Sequence, residues 1–357
     1  MTEQSDIDVI KQRKLEGLNV PLTNEVQAKT TSTYLEYVQL VHNALPELDF
    51  DELDTSTTFL DHKFSAPLII DSMTGGTPEA TKINGRLAET AEELGLGMGL
   101  GSQRAGLKSK ALAETYSIAR ERAPNAFLIA NIGGAQLAKG MSIDEVKQII
   151  DMINANALIV HLNPLQELIQ PEGEPQFKGV YQKIGELVKC LDIPVIVKEV
   201  GAGISKEVAF KLQVIGVNVI NVAGSGGTSW AGVEKLRAES MNNELKVHLG
   251  EMFWDWGIPT AASLIEVRKS VHLPLIASGG LRNGLEVAKC LAIGANMCAM
   301  ALPFLKQAAI SKEAVIQFAN ILLNELKSVM YLVGTKDIKK LKESRYILTG
   351  PLAEWFK

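Results

Sequence analysis

The chain has 357 residues, of which 46% are hydrophobic and 22% charged, and its formal net charge is −5. That is the composition of a globular protein with a sizeable core. It offers no basic face for nucleic acid or an anionic membrane, so any anionic ligand must be held by local groups.

Residues 1 to 66 do not read as part of a repeating fold. RKLEGL (13–18) is a short basic and apolar patch, and TYLEYVQLVHNALPEL (33–48) has apolar spacing near a helical period. DELDTSTTFLDHKFSAP (51–67) reads as turn and short strand. This part is expected to be an arm and extension over the rest. Arg13 and Lys14 are either a solvated surface or an anion clamp supplied by that arm.

From 67 onward apolar runs of strand length alternate with amphipathic segments of helix length, the pattern of a parallel sheet built from βα units. Strands are expected at 67–73, 97–102, 126–132, 157–161, 194–200, 217–223, 274–278 and 296–302. Helices are expected near 79–94, 108–122, 142–154, 180–191, 205–215, 230–239, 283–292 and beyond 304. Ser142 with Glu145 forms a capping box, and Ser205 marks a second helix start. Eight repeats close into a barrel more naturally than they spread into an open sheet. The expected fold is α/β, a single (β/α)8 TIM barrel over 67–357 with an N-terminal extension over its mouth.

Polar and glycine-rich stretches follow the strands: MTGG (73–76), GSQRAG (101–106), NIGG (131–134), HLNPLQE (161–167), KEVGAG (198–203), AGSGGTSW (223–230) and SGGLRNG (278–284). The connections that lead into strands are plainer, which places the chemistry at the carboxyl face of the barrel. HLNPLQE brings an imidazole, two amides and a carboxylate into one segment, and buried polar groups are costly unless each finds a partner. Lys198 ends the fifth strand; an ion pair with its neighbour Glu199 conflicts with the opposite facing of adjacent strand residues, which favours a lysine turned toward a ligand. After the seventh strand, Gly279, Gly280 and Arg282 bring bare amides, a cation and a helix amino end, the ingredients of a phosphate seat.

Three cysteines, Cys190, Cys290 and Cys298, with no close-spaced pair suit a reducing compartment. The polar, acidic start MTEQSDID is unlike a signal peptide, and no apolar run reaches the length of a membrane span, so a cytoplasmic protein is expected.

MTGG, GSQRA, HLNPLQE, QPEGEP, VKEVGAGIS, GSGGTSW, DWGIPTAAS, SGGLRNG and MALPFL, in this order, closely resemble the type 2 isopentenyl-diphosphate isomerases, particularly the archaeal ones. The resemblance covers nearly the whole chain. It implies an FMN- and Mg²⁺-dependent enzyme that interconverts isopentenyl and dimethylallyl diphosphates, with the flavin kept reduced by NADPH. It further implies that Ser72, Met73, Thr74, Gly75, Ser102, Asn131 and Lys198 line the flavin, and that Thr228, Gly279, Gly280, Arg282, Ala301 and Leu302 lie at its phosphate. Arg13, Lys14, Ser102, Gln103 and Arg104 would hold the diphosphate. His161, Asn163 and Gln166 would face the substrate, Glu167 would bind Mg²⁺, and Gln166, His161 and Glu234 are the candidates for catalysis. Relatives of this kind assemble as homotetramers or larger, and the apolar stretch 314–323 is a candidate subunit contact.

One position departs from the pattern: the family's arm reads Arg-Lys-x-Glu-His, and this chain has Gly17 in place of the histidine. The expected consequence is weaker grip on the diphosphate, by about 1.5 to 3 kcal/mol for one charged hydrogen bond. Two rivals remain at this level, an FMN-dependent 2-hydroxy acid oxidase on the same barrel and a non-catalytic sensor that binds FMN or a prenyl diphosphate.

Overall fold

The computed structural model describes residues 3–357, with side chains from residue 11 onward. Eight parallel strands close into a barrel in sequence order. They are β1 (Leu68–Ile70), β2 (Gly97–Gly99), β3 (Phe127–Gly133), β4 (Ala157–His161), β5 (Val195–Lys198), β6 (Val219–Asn221), β7 (Leu275–Ala277) and β8 (Met297–Met300), with β8 paired back to β1. Several are shorter than the apolar runs that announced them, because their last residues leave the ladder and turn into the loops above.

Strand residues alternate between two hydrophobic environments. Ile69, Phe127, Ile129, Ile159, Ile196, Val219, Ile276 and Met297 fill the barrel interior, while Leu68, Ile70, Leu128, Leu158, Val160, Val195, Val197, Ile220 and Leu275 pack outward against helices. Successive strand residues face opposite sides, so counting two residues on from the interior set gives the next inward positions. These are Asp71, Asn131, His161, Lys198, Asn221 and Ser278, while two on from Met297 comes Ala299, also in the interior cluster, and then Ala301. The barrel is apolar through its middle and polar at its carboxyl rim. At the other end the hairpin Thr57–Phe59 and His62–Phe64 closes the floor, with Phe59 and Phe64 joining the interior cluster and Phe64 packed at 5.4 Å on Phe127.

Both expected caps are present. Ser142 and Glu145 bond reciprocally, and Ser205 accepts from Val208 N. Two expectations fail. The stretch 33–48 is not a helix: it makes one 3-10 turn and the strand Val38–Leu40, which pairs with Tyr346–Leu348 near the carboxyl terminus. Its apolar residues serve that pairing, and a long-range partner overrides local periodicity. The crossover from β6 to β7 holds three helices rather than one, Trp230–Ser240, Glu244–Met252 and Thr260–Ser270. Thr260–Ser270 packs on β7 and on helix Lys206–Val214 as a barrel-layer helix should, whereas Trp230–Ser240 packs at the mouth against Pro164–Ile169 and the arm.

The arm is a helix, Glu3–Thr23, followed by an extended segment stitched to the loop after β6: Ala28 N donates to Gly227 O (2.8 Å) and Ser229 N to Val26 O (2.7 Å). Among the described residues, no helix is long and apolar enough to cross a membrane.

Candidate active site

The polar rim opens into one cavity over the carboxyl ends of the strands. At its floor the β5 tip carries Lys198, whose ammonium lies 3.1 Å from the carboxylate of Asp71, the residue after β1, both side chains buried. Glu199 points the other way, as alternation requires, and accepts from the backbone amides of Val200 (2.6 Å), Gly201 (2.7 Å) and Ala202. Burial still pushes its carboxyl up to about 7 against those three donors. Next along the rim, His161 Nδ1 donates to Asn131 Oδ1 (2.7 Å), which leaves Nε2 as an acceptor. Burial, then the charges of Lys198 and Lys14, bring this imidazole down to about 3, so it is neutral at working pH.

One end of the cavity gathers cations. Arg13 and Lys14 arrive on the arm helix and Arg104 on the loop after β2; Lys14 Nζ donates to Ser102 O (2.9 Å), which also accepts from Tyr116 Oη (2.8 Å). Lys14 is lowered to about 7 by burial and by Arg13 and Arg104, and Arg104 is lowered by burial and by Arg13. Like charges that disfavour protonated Lys14 and Arg104 are an arrangement that a polyanion relieves.

The opposite end has the shape of a phosphate seat. The loops after β6 and β7 meet backbone to backbone: a Cβ on Gly227 would lie 2.4 Å from Gly280 Cα, and one on Gly279 would run into Gly224 O. Gly279 and Gly280 both have positive φ (96° and 81°). No side chain intervenes where they meet, and Gly279 and Gly280 line the cavity beside Thr228 and Arg282, whose guanidinium also donates to Leu281 O (2.8 Å) and Gln27 Oε1. Ser72 Oγ and Asn163 Oδ1, also lining the cavity, are buried polar atoms without a partner among the described residues. A seat for phosphate and unpaired groups along the floor fit a flavin mononucleotide.

The family model for FMN-dependent dehydrogenases matches residues 136–348. A curated isopentenyl-diphosphate delta-isomerase of Methanosarcina mazei is 45% identical over 98% of this chain and 95% of its own length. Those of Methanothermobacter thermautotrophicus and Pyrococcus abyssi are each 46% identical, over 97% and 96% of this chain and 96% and 94% of their own lengths. The chain belongs to the isopentenyl-diphosphate delta-isomerase family. Solved structures of mandelate oxidase (TM-score 0.62, covering 97% of this chain and 98% of the other) and of a Pediococcus acidilactici lactate oxidase (0.65, covering 96% and 94%) share only 16% identity with it and establish the barrel alone.

In this isomerase the structure brings Arg13, Lys14, Ser72, Met73, Thr74, Ser102, Arg104, Asn131, His161, Asn163, Gln166, Glu167, Lys198, Thr228, Glu234, Gly279, Gly280, Arg282, Ala301 and Leu302 to one cavity. Gly75 packs instead against Tyr116, whose ring occupies the space a Cβ would need. Gln103 corrects the expectation of a diphosphate ligand. It is fully buried, its Nε2 donates to Ile149 O (3.0 Å) and its Oε1 accepts from Asn131 N (3.1 Å), so the amide is spent holding β3 in place.

Glu167 is buried on the short helix Pro164–Ile169, where one carboxylate oxygen accepts from Glu174 N (2.9 Å). Among the described residues no three His, Cys, Asp or Glu side chains cluster as a metal cage. A lone carboxylate beside an anion site fits Mg²⁺, which takes one or two carboxylates and completes its shell with phosphate oxygens and water.

Glu234 is more deeply engaged than a helix glutamate usually is. It is buried, accepts from Gln166 Nε2 (2.8 Å) and pairs with Arg237 (2.7 Å). Burial raises its carboxyl against the pull of Arg237. Sequence reading missed Asp71 and Arg237. The inward count from Ile69 was available for Asp71, but nothing local marked Arg237 as a hub, because two of its three partners, Glu16 and Glu172, lie on elements far from it in the chain.

Proposed function

We propose that this isomerase interconverts isopentenyl and dimethylallyl diphosphates with reduced FMN and Mg²⁺, NADPH being the reductant. The observation that carries the reading is the division of the cavity: a cationic end of Arg13, Lys14 and Arg104, then a neutral, amide-rich stretch of Asn131, His161, Asn163 and Gln166. A diphosphate suits the first and an uncharged five-carbon alkene the second. Thr228, Gly279, Gly280 and Arg282 would hold the FMN phosphate, with Ala301 and Leu302 beside it. Lys198, Ser72, Met73, Thr74, Ser102 and Asn131 would hold the ring, with Gly75 behind them against Tyr116. When bound and reduced, that ring supplies an electron-rich, proton-bearing face for the alkene.

The chain's own part is to bind, orient and move protons. Arg13, Lys14 and Arg104 grip the diphosphate, Glu167 would hold a Mg²⁺ that neutralises it further, and that remote binding energy fixes the hydrocarbon. His161, held neutral, adds no charge beside a centre that becomes positive. The reaction adds one proton at the terminal alkene carbon and removes one from the methylene on the far side of the substituted carbon. The Gln166–Glu234 pair is the side-chain route for the proton removed, since burial raises the proton affinity of the Glu234 carboxylate. We also propose a homotetramer or larger assembly, with the arm capping the barrel.

The test is purified protein with FMN, dithionite, Mg²⁺ and labelled isopentenyl diphosphate. Dimethylallyl diphosphate formed without net oxidation supports the reading. Peroxide from a 2-hydroxy acid would replace it with an oxidase, and binding without turnover would replace it with a sensor.

A further inference from the structure

Arg237 is buried on the mouth helix and is held by three carboxylates from three separate elements. Its Nε donates to Glu16 on the arm helix (2.8 Å), Nη2 to Glu172 in the loop after Pro164–Ile169 (2.7 Å), and Nη1 to Glu234 on its own helix (2.7 Å) and again to Glu172 (3.2 Å). Four of the five guanidinium protons are thereby committed in one plane. The side chain is only 1% exposed, and its partners run from 3% for Glu234 to 25% for Glu16 and 30% for Glu172. Glu234 in turn holds Gln166, and Gln166 Oε1 accepts from Asn163 Nδ2 (3.0 Å), so the chain of contacts continues into the cavity.

The arm has opposing electrostatics on its two sides. Arg13 and Lys14 face Arg104, a like-charge contact that resists seating when no anion is bound. Glu16, three residues after Arg13 on the same helix, supplies the attraction to Arg237. With diphosphate present both sides attract; without it, Glu16 supplies the charged attraction, alongside the Lys14 bond to Ser102 O and the buried Leu18.

We propose that Arg237 is a positioning residue, a guanidinium hub that fastens the arm and the Glu172 loop over the cavity and sets the aim of the Glu234–Gln166 pair. The catalytic half of this rests on the proposed isomerisation; the fastening half does not. Lysine cannot substitute, because a point charge has no fork to serve three carboxylates at once.

Two variants and two readouts test it. Amide hydrogen exchange of residues 11–23 is followed with and without inorganic diphosphate, and KM and kcat are measured on the FMN- and Mg²⁺-loaded enzyme. Glu16→Gln should raise exchange across the arm in the absence of diphosphate, lose most of that difference when diphosphate is added, and raise KM roughly fivefold with little change in kcat, the weight of one partly exposed charged hydrogen bond. Arg237→Lys should raise exchange in the arm and in residues 170–175 and lower kcat by more than about tenfold, because Glu234 and Gln166 lose their orientation. Arm exchange unchanged in Glu16→Gln, or wild-type kcat in Arg237→Lys, would overturn the hub. A protein that shows the exchange differences yet fails to isomerise would keep the hub and refute the proposed reaction; one that isomerises without them would do the reverse.

Discussion

Burial beside Arg13 and Arg104 brings the Lys14 ammonium down to about 7. The protonated form is the one a diphosphate needs, and a bound anion raises its proton affinity again, so binding takes up a proton above pH 7. KM should therefore be flat below about pH 7 and rise by up to roughly tenfold per pH unit above it. Lys14→Met should have a higher KM without that rise; a wild-type profile in this variant would remove Lys14 from the diphosphate. Three residues on, Gly17 lines the cavity, and a Cβ built there meets no atom within 4 Å. Gly17→His has room, relieves a helix glycine worth about 1 kcal/mol and adds a donor worth about 1.5 to 3 kcal/mol. Its KM should fall by about tenfold or more, and an unchanged value would show that the glycine is no handicap.

The loops after β6 and β7 work as one element because neither carries a side chain where they touch. Gly227→Ala puts a methyl 2.4 Å from Gly280 Cα, backbone against backbone, so the loops must part. Overpacking of this kind costs about 1 to 3 kcal/mol, and here it falls on the phosphate seat. FMN affinity should drop by about tenfold or more in a fluorescence titration, while undiminished retention would move the seat elsewhere. The mouth helix Trp230–Ser240 has a comparable economy. Its start is capped by Ser229, which accepts from Gly232 N (3.0 Å), and one turn later it delivers Glu234 and Arg237 three residues apart, on one face. The sequence supported its existence within a residue but suggested the wrong layer, since a helical period does not say what the helix will pack against.

Across the whole molecule, stability and chemistry occupy opposite ends of the barrel. The aromatic floor of Phe59, Phe64 and Phe127 lies below the apolar layers, and the ionisable rim lies above them. Phe64→Ala should lower unfolding free energy by about 3 to 5 kcal/mol, the usual range for a buried phenylalanine, with kcat/KM unchanged where the protein remains folded. Denaturant midpoints and steady-state kinetics on the same sample check both halves. A large fall in kcat/KM at full folding would mean that floor and rim are coupled.

Eight alternating βα repeats, the glycines after the strands and the motif around His161 were legible in the chain because each is a local pattern: period, turn chemistry, or residues adjacent in sequence. The same locality allowed His161 and Lys198 to be anticipated at the rim, whereas Asn131 came from the family resemblance. Tertiary structure alone decided that Lys198 meets Asp71, that Gln103 props up β3 instead of facing the cavity, that 33–48 pairs with the far terminus, and that Glu16, Glu172 and Glu234 converge on Arg237. Those contacts join residues up to 310 positions apart. Pairings of that reach are settled by how the barrel closes, and no window of neighbouring residues carries the information.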